Sequence, residues 1–319
     1  MSDTIKLEES VPLSFRGMRL DQAASDLFKG FSRSRLQLWI KKGDLLVDGN
    51  IRRSKDKLIG GELLSANVML EPEGEWKPEA ISLDIVFEDE DIIVINKPAG
   101  LVVHPAAGNY TGTLLNGLIH HISTNEKIPR AGIVHRLDKD TTGLMVVAKT
   151  LESHHSLIKQ LQSRTVSREY QAIAQGIMTG GGTVKKPMGR HPQIRTKMAV
   201  VGHGGKEAIT HYRVIEKFSQ YTHIRVKLET GRTHQIRVHM ADIGYPLIGD
   251  SVYGGRLKLP KGATLKLQTV VRGFRRQALH AGRLGLIHPT SNQYIEWHAP
   301  APKDFVILLE ALKTETNNE

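Results

Sequence analysis

No cysteine occurs among the 319 residues. That excludes disulfide frameworks, thiolate zinc sites and cysteine nucleophiles, and it fits a reducing cytoplasm. No stretch approaches the roughly 18 consecutive apolar residues of a membrane span. The opening MSDTIKLEES has no apolar run of the kind a secretory signal needs. A cytoplasmic protein with no membrane partner is the expectation. Phosphate loops are missing too. The GGG at 180–182 lacks a following Lys-Ser/Thr, and the GHGG at 202–205 has no strand-to-helix context. There is no G-x-S-x-G elbow and no H-E-x-x-H.

Acidic residues are in the minority, 33 against 44 Lys and Arg, for a net charge of +11. Their distribution says more than the total. Residues 71–91 carry net −8, whereas 16–70 carry +5 and 92–319 carry +16. Two basic blocks flanking a short acidic segment favour a polyanionic partner, nucleic acid first, over a merely Lys-rich soluble surface. The length suits about two domains, each able to bury a core without staples.

The first block predicts a small α+β module over residues 16–70. Ser32 is the expected N-cap of a helix carrying Leu36, Leu38, Trp39 and Ile40, and Gly43 sits where its C-terminus needs a left-handed residue. Leu45–Val47 and Ile51 flank Asp48-Gly49-Asn50, a hairpin signal. Arg33, Arg35, Lys41, Lys42, Arg52 and Arg53 would then share one basic face, the candidate RNA-contacting surface. Residues 71–80, EPEGEWKPEA, predict an acidic linker. From 81 to 312 the pattern is strand-rich with helices interspersed and no regular βαβ period, hence α+β rather than doubly wound. Ile85–Phe87 and Ile92–Ile95 predict a hairpin, and Leu144–Ala148, Tyr170–Ala174 and Tyr221–Leu228 predict strands. A helix is expected over 151–161 with Leu151, His155, Ile158 and Leu161 on one face, and another over 234–240.

Three segments could carry chemistry. IVHRLDKDTTG (133–143) sets Asp138 and Asp140 among His135, Arg136 and Lys139, just before a strand. A plain Asx turn is the competing reading. A calcium loop is rejected, because its twelfth position would be Lys149 rather than a bidentate Glu. Zinc is disfavoured, since the many His residues have no ligand spacing and no thiols to complete a site. The second segment is LETGRTHQIRVH (228–239), with Arg232, His234, Arg237 and His239 clustered after Gly231. The third is SREYQAIAQG, with Tyr170 among charges.

At HRLDKDTTG the chain resembles the C/D-type pseudouridine synthases of the large ribosomal subunit. INKPAGLVVHP (95–105), REYQAIAQG (168–176), LETGRTHQIRVHMADIGYPLIGD (228–250) and QALHAGRLGL (277–286) follow in the same order, and the GRHPQIRTKMAV loop (189–200) is most similar to the D type. Residues 16–63 resemble an S4 RNA-binding module. The resemblance implies an α+β catalytic domain on a mixed, largely antiparallel sheet, preceded by the S4 module. It implies isomerisation of uridine to pseudouridine in ribosomal RNA or a pre-ribosomal particle, in support of ribosome assembly, with no cofactor and no metal, by a protein expected to be monomeric. It makes Asp138 the catalytic residue, with Tyr170 against the base, Arg232 paired with the Asp, Ile236 packing under the base, and Arg136 able to fill the place of a flipped-out nucleotide. The alternative class is an RNA-binding assembly factor without catalysis.

Overall fold

A computed structural model describes residues 4–31, 33–69, 76–105, 109, 111–194 and 196–317. Its N-terminal part consists of β1 (Thr4–Ser10), α1 (Leu20–Leu27), α2 (Arg33–Lys42), β2 (Leu45–Val47) and β3 (Leu63–Met69). The three strands pair antiparallel in the order β1-β3-β2. Leu36 and Ile40, one turn apart on α2, close a core with Leu20, Leu45 and Leu64, all essentially inaccessible to solvent. Burying side chains of this size stabilises by about 1.5–3 kcal/mol each. Strand β1 lies before the expected start at residue 16, and the expected cap Ser32 lies outside the described residues.

Gly43 ends α2 with φ +81°, as its position suggested. The Asp48-Gly49-Asn50 turn also forms, closed by paired backbone bonds between Val47 and Asn50. It does not lead back into a strand at Ile51, which is exposed. The partner of β2 is β3, and Asp48 Oδ1 accepts from the Leu63 N–H at 2.8 Å. Buried Asp21 on α1 ties the helices together by accepting from Arg19, Arg33 and Gln37.

The larger part contains β4 (Ile85–Glu88), β5 (Ile92–Lys97), α3 (Leu114–His121), β6 (Thr142–Ala148), α4 (Leu151–Gln162), β7 (Ser167–Gln175), β8 (Gly182–Lys185), β9 (Met188–Arg190), β10 (Met198–Val200), β11 (Ile209–Lys217), β12 (Tyr221–Leu228), α5 (Gln235–Asp242), α6 (Leu265–Gly273), β13 (Leu279–Ile287), β14 (Tyr294–His298) and α7 (Lys303–Asn317). A nine-stranded sheet runs β4-β5-β6-β13-β7-β12-β11-β8, with β14 added to β13. Among the described strands only the β6–β13 pairing is parallel, so the sheet is mixed and largely antiparallel. β9 and β10 form a separate ribbon.

The runs IIVI and LMVVA are continuously apolar because the sheet is covered on both faces. Ile93, Ile95, Met145 and Val147 pack with Leu114 and Leu118 of α3, while Ile92, Val94, Leu144 and Val146 pack with Leu157 of α4. On β12 the expected alternation holds: Ile224, Val226 and Leu228 are buried, and Arg225 and Lys227 exposed. Helix α4 differs. Its buried face is Ser153, His154, Leu157 and Gln160, one position off the expected stripe, with His155 turned outward toward Phe31 of the N-terminal part at a ring separation of 6.2 Å.

Of the expected linker, residues 71–75 lie outside the described residues. The rest leaves Lys77, Pro78 and Ala80 exposed but makes specific contacts. Trp76 packs edge-on against His104 at 5.6 Å, and the Lys77 carbonyl accepts from Asn116.

Candidate active site

The segment leading into β6 is held from below and from the side. Lys97, at the end of β5, is fully buried, and its Nζ donates to the carbonyls of Pro98, Leu101 and Lys139. Burial lowers its pKa to about 8, opposed by the charges of Asp140 and Asp138. The Thr141 N–H donates to the Asp138 carbonyl at 3.0 Å, closing the turn. From β13 and the loop before it, Arg276 donates to the Asp140 carbonyl, Gln277 donates to Thr141 Oγ1, and His280 Nδ1 meets Thr142 Oγ1 at 2.9 Å. Gly143, at φ +112°, lets β6 and β13 approach; a Cβ there would lie 2.2 Å from the Ala281 carbonyl oxygen. His135 accepts from the Val146 N–H at 3.0 Å, and burial pushes its pKa to about 3, so it serves as a neutral brace.

Opposite this loop, the LETGRTH segment turns into α5. Gln235 organises the turn. Its Oε1 accepts from the Arg232 N–H and Thr230 Oγ1, and its Nε2 donates to Ile209 O and Thr210 Oγ1. His234 precedes the helix in the left-handed region at φ 57°, ψ 21°. The turn therefore stays outside the helix, and Arg237 on the first helical turn is the residue that faces Asp138.

Asp138 keeps 17% of its side-chain surface exposed at the floor of a cleft of about 990 Å³. Arg237 Nη1 donates to Asp138 Oδ2 at 2.9 Å, while its Nε and Nη2 grip Asp250 at 2.7 and 2.9 Å. Burial works against the guanidinium charge, but Asp250 and then Asp138 more than offset it, so its pKa is raised. Asp250 is itself lowered: burial opposes its charge, and Arg237 and the N–H groups of Tyr253 and Val252 outweigh that. The expectation that Arg232 pairs with Asp138 is thus corrected. Arg232 Nε donates to the Glu207 carbonyl at 3.0 Å, on the exposed rim.

Tyr170 on β7 and Ile236 on α5, 6% and 4% exposed, line the same cleft beside Asp138. Burial raises the Tyr170 pKa; Arg168 opposes this and Asp138 adds to it. Arg136 is exposed at the mouth. Lys29, Arg130, Arg164 and Lys206 join it and Arg232 in a basic lining, and Lys29, Gly30 and Phe31 contribute a wall from the N-terminal part. The expected RNA-contacting residues lie elsewhere. None of the six lines the cleft. Lys41, Lys42, Arg52 and Arg53 are exposed, and Arg33 is half-exposed but tied to Asp21 at 2.7 Å. Arg35 is a correction: it is buried, with its guanidinium 5.7 Å from the Trp39 ring centre, one turn along α2.

A sequence profile described as RNA pseudouridylate synthase matches residues 91–242, which span the Asp138 loop, Tyr170 and Arg237. The chain is 56% identical over 315 residues to a ribosomal large subunit pseudouridine synthase D of Pseudomonas aeruginosa, covering 99% of this chain and 98% of that one. A protein of the same name from Escherichia coli K12 is 52% identical over 316 residues, covering 99% and 97%. The chain belongs to the RNA pseudouridylate synthase family. The solved structure of human RNA pseudouridylate synthase domain containing 4 superposes with a TM-score of 0.56 at 28% identity, covering 72% of this chain and 92% of that one. As a pseudouridine synthase the protein is an isomerase, and the α+β architecture expected from the sequence is the family's. Among the described residues no helix is long and apolar enough to cross a membrane.

Proposed function

We propose that the protein isomerises uridines to pseudouridines in large-subunit ribosomal RNA, with Asp138 as the catalytic group. What carries the reading is one carboxylate at the floor of a basic-lined cleft, fixed at Oδ2 by a buried arginine and open to solvent at 17% of its side chain. The target base must leave its stack to reach such a floor, at a cost of a few kcal/mol. Arg136 at the mouth is suited to filling the gap and offsetting that cost. Tyr170 and Ile236 offer the base an aromatic face and an apolar one. Such surfaces hold a pyrimidine without fixing one hydrogen-bond pattern, as a ring that must turn requires. In the reaction the C1′–N1 bond breaks, the uracil turns, and C1′ joins C5; C5 gives up its proton and N1 gains one.

The ordered basic residues Lys41, Lys42, Arg52 and Arg53 support phosphate contacts by the S4-like N-terminal part. Such contacts position RNA without reading its sequence. The test uses in-vitro-transcribed large-subunit ribosomal RNA. Wild-type protein is expected to install pseudouridine at discrete positions. Tight binding with no pseudouridine would favour the assembly-factor reading.

A further inference from the structure

Asp138 Oδ2 is held by Arg237, and Oδ1 lies 3.9 Å from His234 Nε2. Tyr253 Oη accepts from the Met198 N–H of β10 at 3.0 Å, and it meets His234 Nδ1 at 2.8 Å. One lone pair of that hydroxyl is taken by the backbone N–H, and Nδ1 lies within reach of its own proton. In that arrangement Nδ1 accepts and the single ring proton sits on Nε2, facing the carboxylate. Burial keeps the His234 pKa below its ordinary value, with Asp138 opposing, so the neutral ring is the working form. The charged groups around it are Asp138, Arg237, Asp250 and Arg136, with the Tyr253 hydroxyl on the far nitrogen.

A second feature points the same way. His234 is one of six non-glycine residues with positive φ among those described. Backbone held in that region costs on the order of 1–3 kcal/mol and concentrates at functional sites. Here it swings the ring off the helix and into the cleft.

Building on the assignment of Asp138, we infer that His234 is a positioning residue for this reaction. Its Nε2–H, set by Tyr253 and the β9–β10 ribbon, orients the free oxygen of Asp138. At 3.9 Å the contact is longer than a hydrogen bond, and catalytic contacts of this kind commonly tighten when substrate binds. The ribbon, beside which Lys197 Nζ donates to the Val252 carbonyl, thereby sets the state of the carboxylate from a distance.

The experiment compares two isosteres. In His234→Gln the side-chain amide nitrogen reaches the place of Nε2 and keeps a donor toward Asp138. In His234→Asn the amide mimics the Nδ1 side only, but Asn tolerates the left-handed backbone better than Gln. If His234 served only the backbone, Asn would be the better substitute. Single-turnover pseudouridine formation is measured at saturating ribosomal RNA, with thermal unfolding alongside. The Gln variant is expected within about tenfold of wild type. The Asn variant should be slower by on the order of a hundredfold, the usual effect of losing one preorganised donor, with RNA affinity unchanged in both. Asn equal to or faster than Gln overturns the inference. Nitrogen-15 NMR of the His234 ring supplies a readout independent of turnover. The Nε2–H tautomer is expected in wild type and its loss or mixing in Tyr253→Phe; an Nδ1–H ring in wild type, or an unchanged ring in Tyr253→Phe, overturns it. Wild-type protein that forms no pseudouridine at all would instead refute the function proposed above and leave the NMR result standing.

Discussion

Arg237 grips Asp250 with two nitrogens and Asp138 with the third, so a buried carboxylate serves as the anchor through which a partly exposed one is aimed. The two acids are not equivalent. Asp250 also takes the N–H groups of Val252 and Tyr253, which leaves it no freedom, while Asp138 retains an open edge toward the cleft. Substitution should therefore separate an effect on the fold from an effect on the chemistry.

Asp138→Asn keeps the shape and removes the charge. Single-turnover pseudouridine formation should vanish while filter-binding affinity for the same RNA stays within a few fold. Asp140→Asn should keep substantial activity, because that residue's tie to Arg276 runs through its backbone carbonyl. Equal and total loss in both would refute the assignment.

Arg237→Met leaves Asp250 buried without its partner. Breaking a buried pair in this way costs about 3–5 kcal/mol, so chemical denaturation should show a large loss of stability as well as of rate. Arg232→Ala touches only the rim and the Glu207 carbonyl. Its stability should be near wild type, and its defect should appear in RNA affinity.

Phosphate contacts by the N-terminal part should show in the salt dependence of binding. Removing one phosphate-binding cation flattens the slope of log K against log salt by about 0.7–0.9. Arg52→Ala with Arg53→Ala should flatten it by up to about two such steps without loss of folding. Arg35→Ala should leave the slope nearly unchanged and lower the unfolding temperature, since its guanidinium is buried over Trp39. Deleting residues 1–75 removes the Lys29–Phe31 wall as well. Affinity and choice of site should suffer before the saturating rate does.

Acid should loosen the N-terminal part through Asp21. Burial alone would raise its pKa, but hydrogen bonds from Arg33, Gln37 and Arg19 bring it down from 3.8 to about 2. A carboxyl lowered in the folded state contributes fully above pH 3.8, and that contribution is lost as pH falls to about 2. Asp21→Asn should remove this part of the acid transition when unfolding is followed by Trp39 fluorescence between those limits.

Much of this architecture is legible in the sequence, for identifiable reasons. Strand runs such as IIVI and LMVVA announce themselves because both faces of β5 and β6 are buried. The face of α4 lies one position off the expected stripe, with His155 against Phe31 of the N-terminal part, a contact between distant segments that local periodicity cannot contain. Partner choice around Asp138 was hidden for a similar reason. Arg232 and Arg237 both follow Gly231, and only the left-handed turn at His234 decides which enters the helix and reaches the acid. The burial of Arg35 was readable in principle, since Arg35 and Trp39 are four apart on a helix. Lys97 stands in the INKPAGLVVHP motif, but its burial was not legible there, because one of its three acceptors is a carbonyl 42 positions away.

Among the described strands the one parallel pairing, β6 with β13, joins residues more than 130 positions apart, and three of the groups that steady the Asp138 loop, Arg276, Gln277 and His280, come from that distant stretch. During synthesis, then, the chain carries its catalytic sequence long before it has the means to hold it in shape. A nascent protein ending short of residue 276 has an Asp138 with no support from that side, and it should leave RNA unmodified however tightly its basic N-terminal part clings. Competence arrives late and all at once, when β13 closes the sheet.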